Sequence, residues 1–151
     1  MPKSPDPSST REQTGLRGQP DRERFVNTAA RLAAEVYDFH ERWALEPGTP
    51  LEVIIKRTPM LDEEVRELKQ EVERPVYEFD EAAMAEEAAD VLFVALGHME
   101  QLGAVGLSGM NAVTEKNVAK TIKSHFKHPL SGKVTRIGRK DSPQTGSRGR
   151  S

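Results

Sequence analysis

The first regular pattern in the chain is an apolar residue at every third or fourth position between Asp21 and Trp43. The apolar positions are Phe25, Ala29, Leu32, Val36 and Phe39. This spacing places them on one face of a helix that runs from about residue 21 to residue 43. The segment 46–50, Glu-Pro-Gly-Thr-Pro, should end that helix because its proline and glycine residues are strong helix breakers.

A second helical stretch is predicted to begin near Leu51 and to meet an obstacle at Pro59. We expect Pro59 to end or kink the helix, because proline lacks the amide hydrogen and clashes with the preceding turn. Thr58 and Pro59 also suit the start of a new helix, as its cap and its first residue. That helix would end at Arg74 and Pro75 and bury a set of aliphatic side chains. The set is Met60, Leu61, Val65, Leu68 and Val72.

Two more helices are predicted in the second half of the chain. Asp80 is a suitable N-cap for a helix that reaches about Leu102, and Gly103 is a natural residue to follow its C-terminus. A last helix is expected from about Gly109 to His125. Its expected core contacts are Met110, Val113, Val118 and Ile122.

The remaining sequence adds no sheet of any size to these helices. Residues 133–140 suit a short strand or an ordered arm, and no series of alternating strands appears. The predicted fold class is all-α, a bundle of four to five helices that dimerisation completes. One domain is expected at residues 21–140, between disordered segments at 1–20 and 141–151 that are rich in polar residues.

The composition argues against several kinds of protein. The chain has no cysteine, so it has no disulfide and no thiolate metal site, which fits a cytoplasmic location. The N-terminus lacks the apolar segment of a signal peptide, and no apolar run approaches the ~20 residues that cross a membrane. The formal net charge is -2, so the sequence does not predict a nucleic-acid partner. We interpret the basic C-terminal region as a solubilising arm.

Two short clusters of carboxylates stand out within the predicted helices. The first contains Glu63, Glu64 and Glu67, and the second contains Glu87 and Asp90, with Glu86 beside them. Residues three apart lie on one face of a helix, so two such helices packed together would bring four acidic groups to one place. That arrangement needs a cation to neutralise it. Ligation by oxygen alone suits Mg2+ first and Mn2+ second.

Asp90 is the most informative of these acids. It interrupts a run of small and apolar residues from Ala88 to Leu96, which is typical of a core helix. A buried aspartate must be paired, protonated or bound to metal, and a buried salt bridge to Arg or Lys is the main alternative to a metal. A pair of glutamates alone is weaker evidence for a metal site, because such pairs usually form a solvated helix face, as Glu71 and Glu73 are expected to do.

These acids belong to a set of segments that resembles a known family. The segments are DFHERW (38–43), KRTPMLDEEVREL (56–68), AEEAADVLFVALG (85–97), EKNVAK (115–120) and SGKV (131–134). Over residues 22–140 the chain is similar to the all-α nucleoside triphosphate pyrophosphohydrolases. This superfamily includes MazG-like enzymes, dimeric dUTPases and phosphoribosyl-ATP pyrophosphohydrolase.

The resemblance implies an Mg2+-dependent reaction, NTP + water → NMP + pyrophosphate, with Mn2+ as a possible substitute. It implies metal ligation by Glu64, Glu67, Glu87 and Asp90. Glu63 is the expected fifth acid, as an outer ligand or as the base for the attacking water. Glu86 could fill either role if the helix is rotated. The first expectation for the substrate is dUTP or another nucleotide outside the standard set.

Five further residues are candidate substrate contacts. They are Asn117, Lys120, Lys133, Arg57 and His40. Asn117 and Lys120 are three apart on a helix, which suits phosphate or base binding but also an ordinary exposed face. Arg57 could pair with the acids, touch phosphate or lie on the surface, and His40 could belong to a base pocket.

The resemblance also implies a homodimer or a higher homo-oligomer. Two other functions remain open at this stage: a non-catalytic helical interaction module and a metal-binding bundle without hydrolysis. The intact acidic pairs weigh against the interaction module. The chain has no Glu-x-x-His pair, which weighs against a di-iron bundle.

Overall fold

The computed structural model describes residues 20–138 and contains four helices and one small β-hairpin. The helices are α1 (Arg22–Arg42), α2 (Pro50–Val72), α3 (Glu81–Gln101) and α4 (Gly103–Val118). A single turn of 3₁₀ helix, Val76–Glu78, connects α2 to α3. The all-α prediction is confirmed. The predicted disorder of residues 1–20 and 141–151 falls, but for residue 20, outside the described residues and stays a prediction.

The helix starts are set by side-chain caps. Asp21 caps α1 by accepting from the Arg24 amide at 2.8 Å, and Asp80 caps α3 by accepting from the amides of Ala82 and Ala83. The side chain of Thr49 and that of Glu52 cap α2 reciprocally. Each cap satisfies backbone donors that the first turn of a helix leaves free. The boundaries predicted for α1 and α3 therefore agree with the structure to within one residue.

The prediction that one helix ends and another begins at Pro59 is wrong, because α2 is one helix that contains Pro59 in its interior. The alternative of a kink at Pro59 stays a prediction. The proline and its neighbour Thr58 are exposed, so the ring projects away from the packed side. The Thr58 hydroxyl also donates to the Ile54 carbonyl at 2.7 Å. The stable cap at Thr49 begins the helix earlier, and packing against α3 carries it past the proline.

The helix α4 also differs from its prediction of 109–125. It begins at Gly103, directly after α3, and ends at Val118. Gly103 adopts a positive φ of 56°, which lets the chain leave α3 and enter α4 at once. A methyl group at Gly106 would come within 2.0 Å of the Met99 carbonyl oxygen, so this turn requires glycine. The glycines hid the start, because their helix propensity is low.

The chain divides into two compact units, with the boundary inside α4 at Leu107. In the first unit α3 packs against both α1 and α2. Among the described residues, the buried apolar side chains of the core are Val36, Val53 and Val94, one each from α1, α2 and α3. Other expected core residues are open to solvent in the single chain, notably Phe25 at 61% and Val72 at 58% exposure.

The second unit contains the rest of α4 and an antiparallel hairpin. Its strands are β1 (His125–Lys127) and β2 (Val134–Arg136), with Phe126 opposite Thr135. Of the two alternatives for residues 133–140, the short strand is present as β2. The last helix, predicted to reach His125, ends at Val118, and β1 begins at His125. All four core contacts expected of the last helix are exposed, namely Met110, Val113, Val118 and Ile122. Among the described residues, no helix is both long and apolar enough to span a bilayer.

Candidate metal centre

The two acidic clusters meet on α2 and α3 of the first unit. Glu64, Glu87 and Asp90 each place one carboxylate oxygen within 4.8 Å of the other two. Glu64 comes from α2 and the other two from α3, so the site depends on the packing of these helices. The predicted convergence is present in the structure for these three acids, and their role as metal ligands remains a prediction.

The other predicted acids surround this group without joining it. Glu67 is half-buried on α2, and its negative charge raises the pKa of Glu87. Glu63 is exposed and lies 3.7 Å from the Arg66 guanidinium, a weak surface pair. Glu86 is exposed, and its charge also raises the pKa of Glu87. Glu67 is the better candidate for a fourth ligand, because it is half-buried and its charge acts on both Glu64 and Glu87, whereas the exposed Glu63 acts on Glu64 alone.

The electrostatics of the group show unrelieved negative charge. Partial burial raises the pKa of Glu64, and the charges of Asp90, Glu67, Glu63 and Glu87 raise it further. Partial burial and the neighbouring carboxylates likewise raise the pKa of Glu87. Within the described part of the chain, neither residue forms a salt bridge with Lys, Arg or His. A divalent cation would relieve the repulsion, and an all-oxygen donor set fits Mg2+ or Mn2+.

Asp90 reaches this group from an exposed position, which corrects the expectation that it is buried. The start of α3 is less covered than its apolar sequence indicates: Leu92 is 46% exposed, and Ala88 and Ala89 are exposed as well. Desolvation therefore does not compel Asp90 to find a partner. The alternative of a buried salt bridge is not observed among the described residues, so the case for metal rests on the crowding of carboxylates.

Arg57 and His40 lie in the interior of the first unit, where neither side chain is available to a nucleotide. Their exposures are 8% and 4%, respectively. The Nδ1 of His40 donates to the Glu100 carboxylate, since a carboxylate can only accept. Burial lowers the pKa of the Arg57 guanidinium, and the Glu100 charge opposes that effect. The structure therefore does not support the predicted contacts of Arg57 and His40 with substrate.

Sequence reasoning missed the residues around Arg57 and His40. Glu100 and Gln101 follow the apolar part of α3, and their polarity at the end of a core helix was the available signal. The Gln101 amide donates to the Leu45 carbonyl at 3.0 Å and to Glu100 at 3.3 Å. His98 is buried, and its Nδ1 donates to the Val94 carbonyl at 2.7 Å, while its Nε2 has no hydrogen-bond partner among the described residues.

The three remaining candidates lie in the second unit and line one groove of about 820 Å³. Lys120 Nζ donates to Asn117 Oδ1 at 2.7 Å, and the Asn117 amide donates to the Val113 carbonyl at 2.8 Å. Lys133 and Lys127 line the same groove. Three lysines around one concavity make a basic surface that suits an anion.

The fold and the acidic group together define an all-α protein with a candidate metal centre on two packed helices. Residues 55–128 match the sequence model of the MazG nucleotide pyrophosphohydrolase domain. The chain therefore contains a nucleotide pyrophosphohydrolase domain of the MazG family. The match includes both acidic clusters, Asn117 and Lys120, but ends before Lys133. No curated protein and no solved structure gave a match.

Proposed function

We propose that this protein hydrolyses a nucleoside or deoxynucleoside triphosphate to the monophosphate and pyrophosphate, and that it depends on Mg2+. The observation that carries the proposal is the meeting of Glu64, Glu87 and Asp90 within 4.8 Å, inside the matched domain. Such a group has no partner of positive charge among the described residues. It is therefore suited to hold a metal ion that binds a polyphosphate.

The carboxylates would hold the metal, with Glu67 as the fourth ligand. The chemistry that Mg2+ supplies when bound is neutralisation and orientation of the triphosphate and activation of the attacking water. Glu63 is the proposed base, because its carboxylate lies in solvent beside the acidic group. The Glu63 carboxylate would accept a proton from the water as its oxygen attacks the α-phosphorus. The bond between the α- and β-phosphates then breaks, and pyrophosphate leaves.

The substrate contacts proposed in the second unit are Asn117, Lys120 and Lys133. The lysines offer positive charge to phosphates, and the Asn117 amide can bond a base, a sugar or a phosphate. The groove that they line supports this role because it collects several cations in one concavity. The proposed substrate is dUTP or another nucleotide outside the standard set.

We also propose that the protein works as a homodimer or a larger homo-oligomer. The single chain buries few apolar side chains fully and leaves large ones open to solvent. Trp43 is 66%, Val76 93% and Tyr77 85% exposed. Exposed apolar surface of this extent is typical of a protein interface. Light scattering after size-exclusion chromatography would measure the mass, and a monomer would contradict this part of the proposal.

The experiment that tests the function is pyrophosphate release from a panel of NTPs and dNTPs, including dUTP, with Mg2+, Mn2+ or EDTA. We expect release from one or a few nucleotides, and none in EDTA. Glu64→Gln should abolish release. Glu23→Gln, which changes an exposed acid on α1, is the matched control and should retain it. A folded protein that releases no pyrophosphate from any nucleotide with metal would contradict the proposal and favour a non-catalytic module.

A further inference from the structure

A close contact joins α2 to α3 at some distance from the acidic group. The Arg57 guanidinium lies against the backbone of Gly97. A methyl group at Gly97 would come within 2.2 Å of an Arg57 terminal nitrogen and 3.1 Å of His40 Cε1. A separation of 2.2 Å does not occur between real atoms, so a methyl group at Gly97 would have to displace the end of the Arg57 side chain from its present position.

The contact belongs to a polar cluster that involves three helices. His40 of α1 donates to Glu100 of α3, and the Glu100 charge acts on Arg57 of α2. The Gln101 amide adds a hydrogen bond to the Leu45 carbonyl, just beyond α1. The cluster therefore fixes α1, α2 and α3 to one another at a single level of the first unit.

The polar cluster and the acidic group are separated by the same number of residues on α2 and on α3. Arg57 precedes Glu64 by seven residues on α2, and Gly97 follows Asp90 by seven residues on α3. Since both pairs are neighbours across the interface, α2 and α3 are antiparallel. Seven residues are two turns, or about 10.5 Å, so each pair uses the same faces of the two helices. A shift at one pair therefore displaces the carboxylates at the other.

We propose that Arg57, seated on Gly97, is a positioning residue that sets the register of α2 on α3 and so the spacing of Glu64, Glu87 and Asp90. The inference rests on the proposed function, since it assigns Arg57 a role in shaping the metal centre. Arg57 acts through the helices and touches neither metal nor substrate.

The surroundings of Arg57 indicate that it contributes little to the stability of the fold, which distinguishes a positioning role from a stabilising one. Its Nε is buried and has no hydrogen-bond partner among the described residues, and no carboxylate there lies within salt-bridge distance of the guanidinium. A buried charge without an ion-pair partner carries a desolvation cost, and an apolar side chain of similar volume removes that cost. Arg57→Met should thus leave the fold intact while removing the rigid group that fills the space over Gly97.

The test is a calorimetric titration of the full chain with Mn2+ alone, paired with thermal melting followed by circular dichroism. The variants are Arg57→Met, Gly97→Ala and the two combined. Thr49→Ala is the control, because it removes the cap of α2 and should lower the melting temperature by a few degrees without touching the interface with α3.

We expect Arg57→Met and Gly97→Ala each to weaken Mn2+ binding by about tenfold or more, the effect typical of residues that orient metal ligands. The double variant should lose less Mn2+ affinity than the product of the two single fold-changes, because the methionine side chain does not clash with the added methyl group as the guanidinium does. Arg57→Met should melt no lower than the wild type, and Thr49→Ala should bind Mn2+ normally.

Folded Arg57→Met and Gly97→Ala proteins with wild-type affinity for Mn2+ would overturn the positioning role and leave the proposed function intact. A loss of affinity in Thr49→Ala as large as theirs would also overturn it, because general destabilisation would then explain the effect. The same holds if Arg57→Met fails to fold. A wild-type chain that binds no Mn2+ would overturn the metal centre itself, and the role of Arg57 with it.

Discussion

Replacing Asp90 by Asn should stabilise the metal-free protein slightly and remove its stabilisation by Mg2+. The substitution keeps the shape of the side chain and removes one charge from a group of three carboxylates. Two unit charges 4.8 Å apart, the limit for the Glu64 and Asp90 oxygens, repel by about 0.9 kcal/mol in water and by about half of that in physiological salt. The repulsion from Glu87 acts in the same direction.

The size of this effect sets what an experiment must resolve. A change near 0.5 kcal/mol shifts the melting temperature of a domain this size by a few degrees. We therefore expect Asp90→Asn to melt slightly above the wild type in EDTA. Saturating Mg2+ at about 100 times its Kd would stabilise the wild type by about 2.7 kcal/mol, and the variant by far less. The order of the two melting temperatures should thus reverse when the metal is added.

The assay is thermal melting by circular dichroism in EDTA and in a series of Mg2+ concentrations, with pyrophosphate release measured on the same samples. Asp90→Asn should show the wild-type helical signal at the start and no turnover. A variant that melts below the wild type in EDTA would refute the reasoning, because Asp90 would then have a stabilising partner. Equal stabilisation of both proteins by Mg2+, or near-normal turnover of the variant, would remove Asp90 from the metal centre.

Three other predictions concern different parts of the chain. The pKa values of Glu64 and Glu87 are raised in the folded state, so the stability of the metal-free protein should fall as the pH rises from their ordinary pKa values through the raised ones. The affinity for Mn2+ should fall as the pH drops through the same range, because protons then compete with the metal. Thermal melting and calorimetric titration between pH 4 and 8 measure the two effects. Pro59→Ala should increase the free energy of unfolding, measured in urea, by about 1–3 kcal/mol, because the carbonyl one turn earlier regains a hydrogen-bond donor. An unchanged free energy would contradict this and show that the backbone of α2 is already distorted at Pro59. Lys120→Ala should raise KM for the triphosphate more than it lowers kcat, whereas Lys116→Ala, on the exposed helix outside the groove, should leave both unchanged.

The starts of the three helices in the first unit could be predicted from local features of the sequence. Asp21, Thr49 and Asp80 cap the three helices of the first unit through contacts with residues two or three positions away. Interactions of that range depend on neighbours in the chain and hardly on the rest of the fold. The local rule for proline failed where tertiary packing opposed it. The helix α2 continues through Pro59 and contacts α3 on both sides of the proline, at Arg57 and at Glu64.

The burial of individual residues was the least predictable property. Asp90 was expected inside because its helix is apolar, yet Arg57 and His40 are inside and Asp90 is exposed. Hydrophobic periodicity indicates which face of a helix packs, but it does not say how far along the helix a neighbour extends. That length depends on where α1 and α2 lie on α3.

By itself, the sequence determined that the domain is helical and where α1 and α3 lie, that carboxylates three apart share a face, and which family the domain resembles. These are properties of single helices and of motifs. Only the tertiary structure decided which carboxylates meet, because the register between α2 and α3 is set by contacts distant in sequence. Arg57 on Gly97 is the clearest example, since it joins positions forty residues apart that lie in two separate motifs, neither of which indicates that they meet.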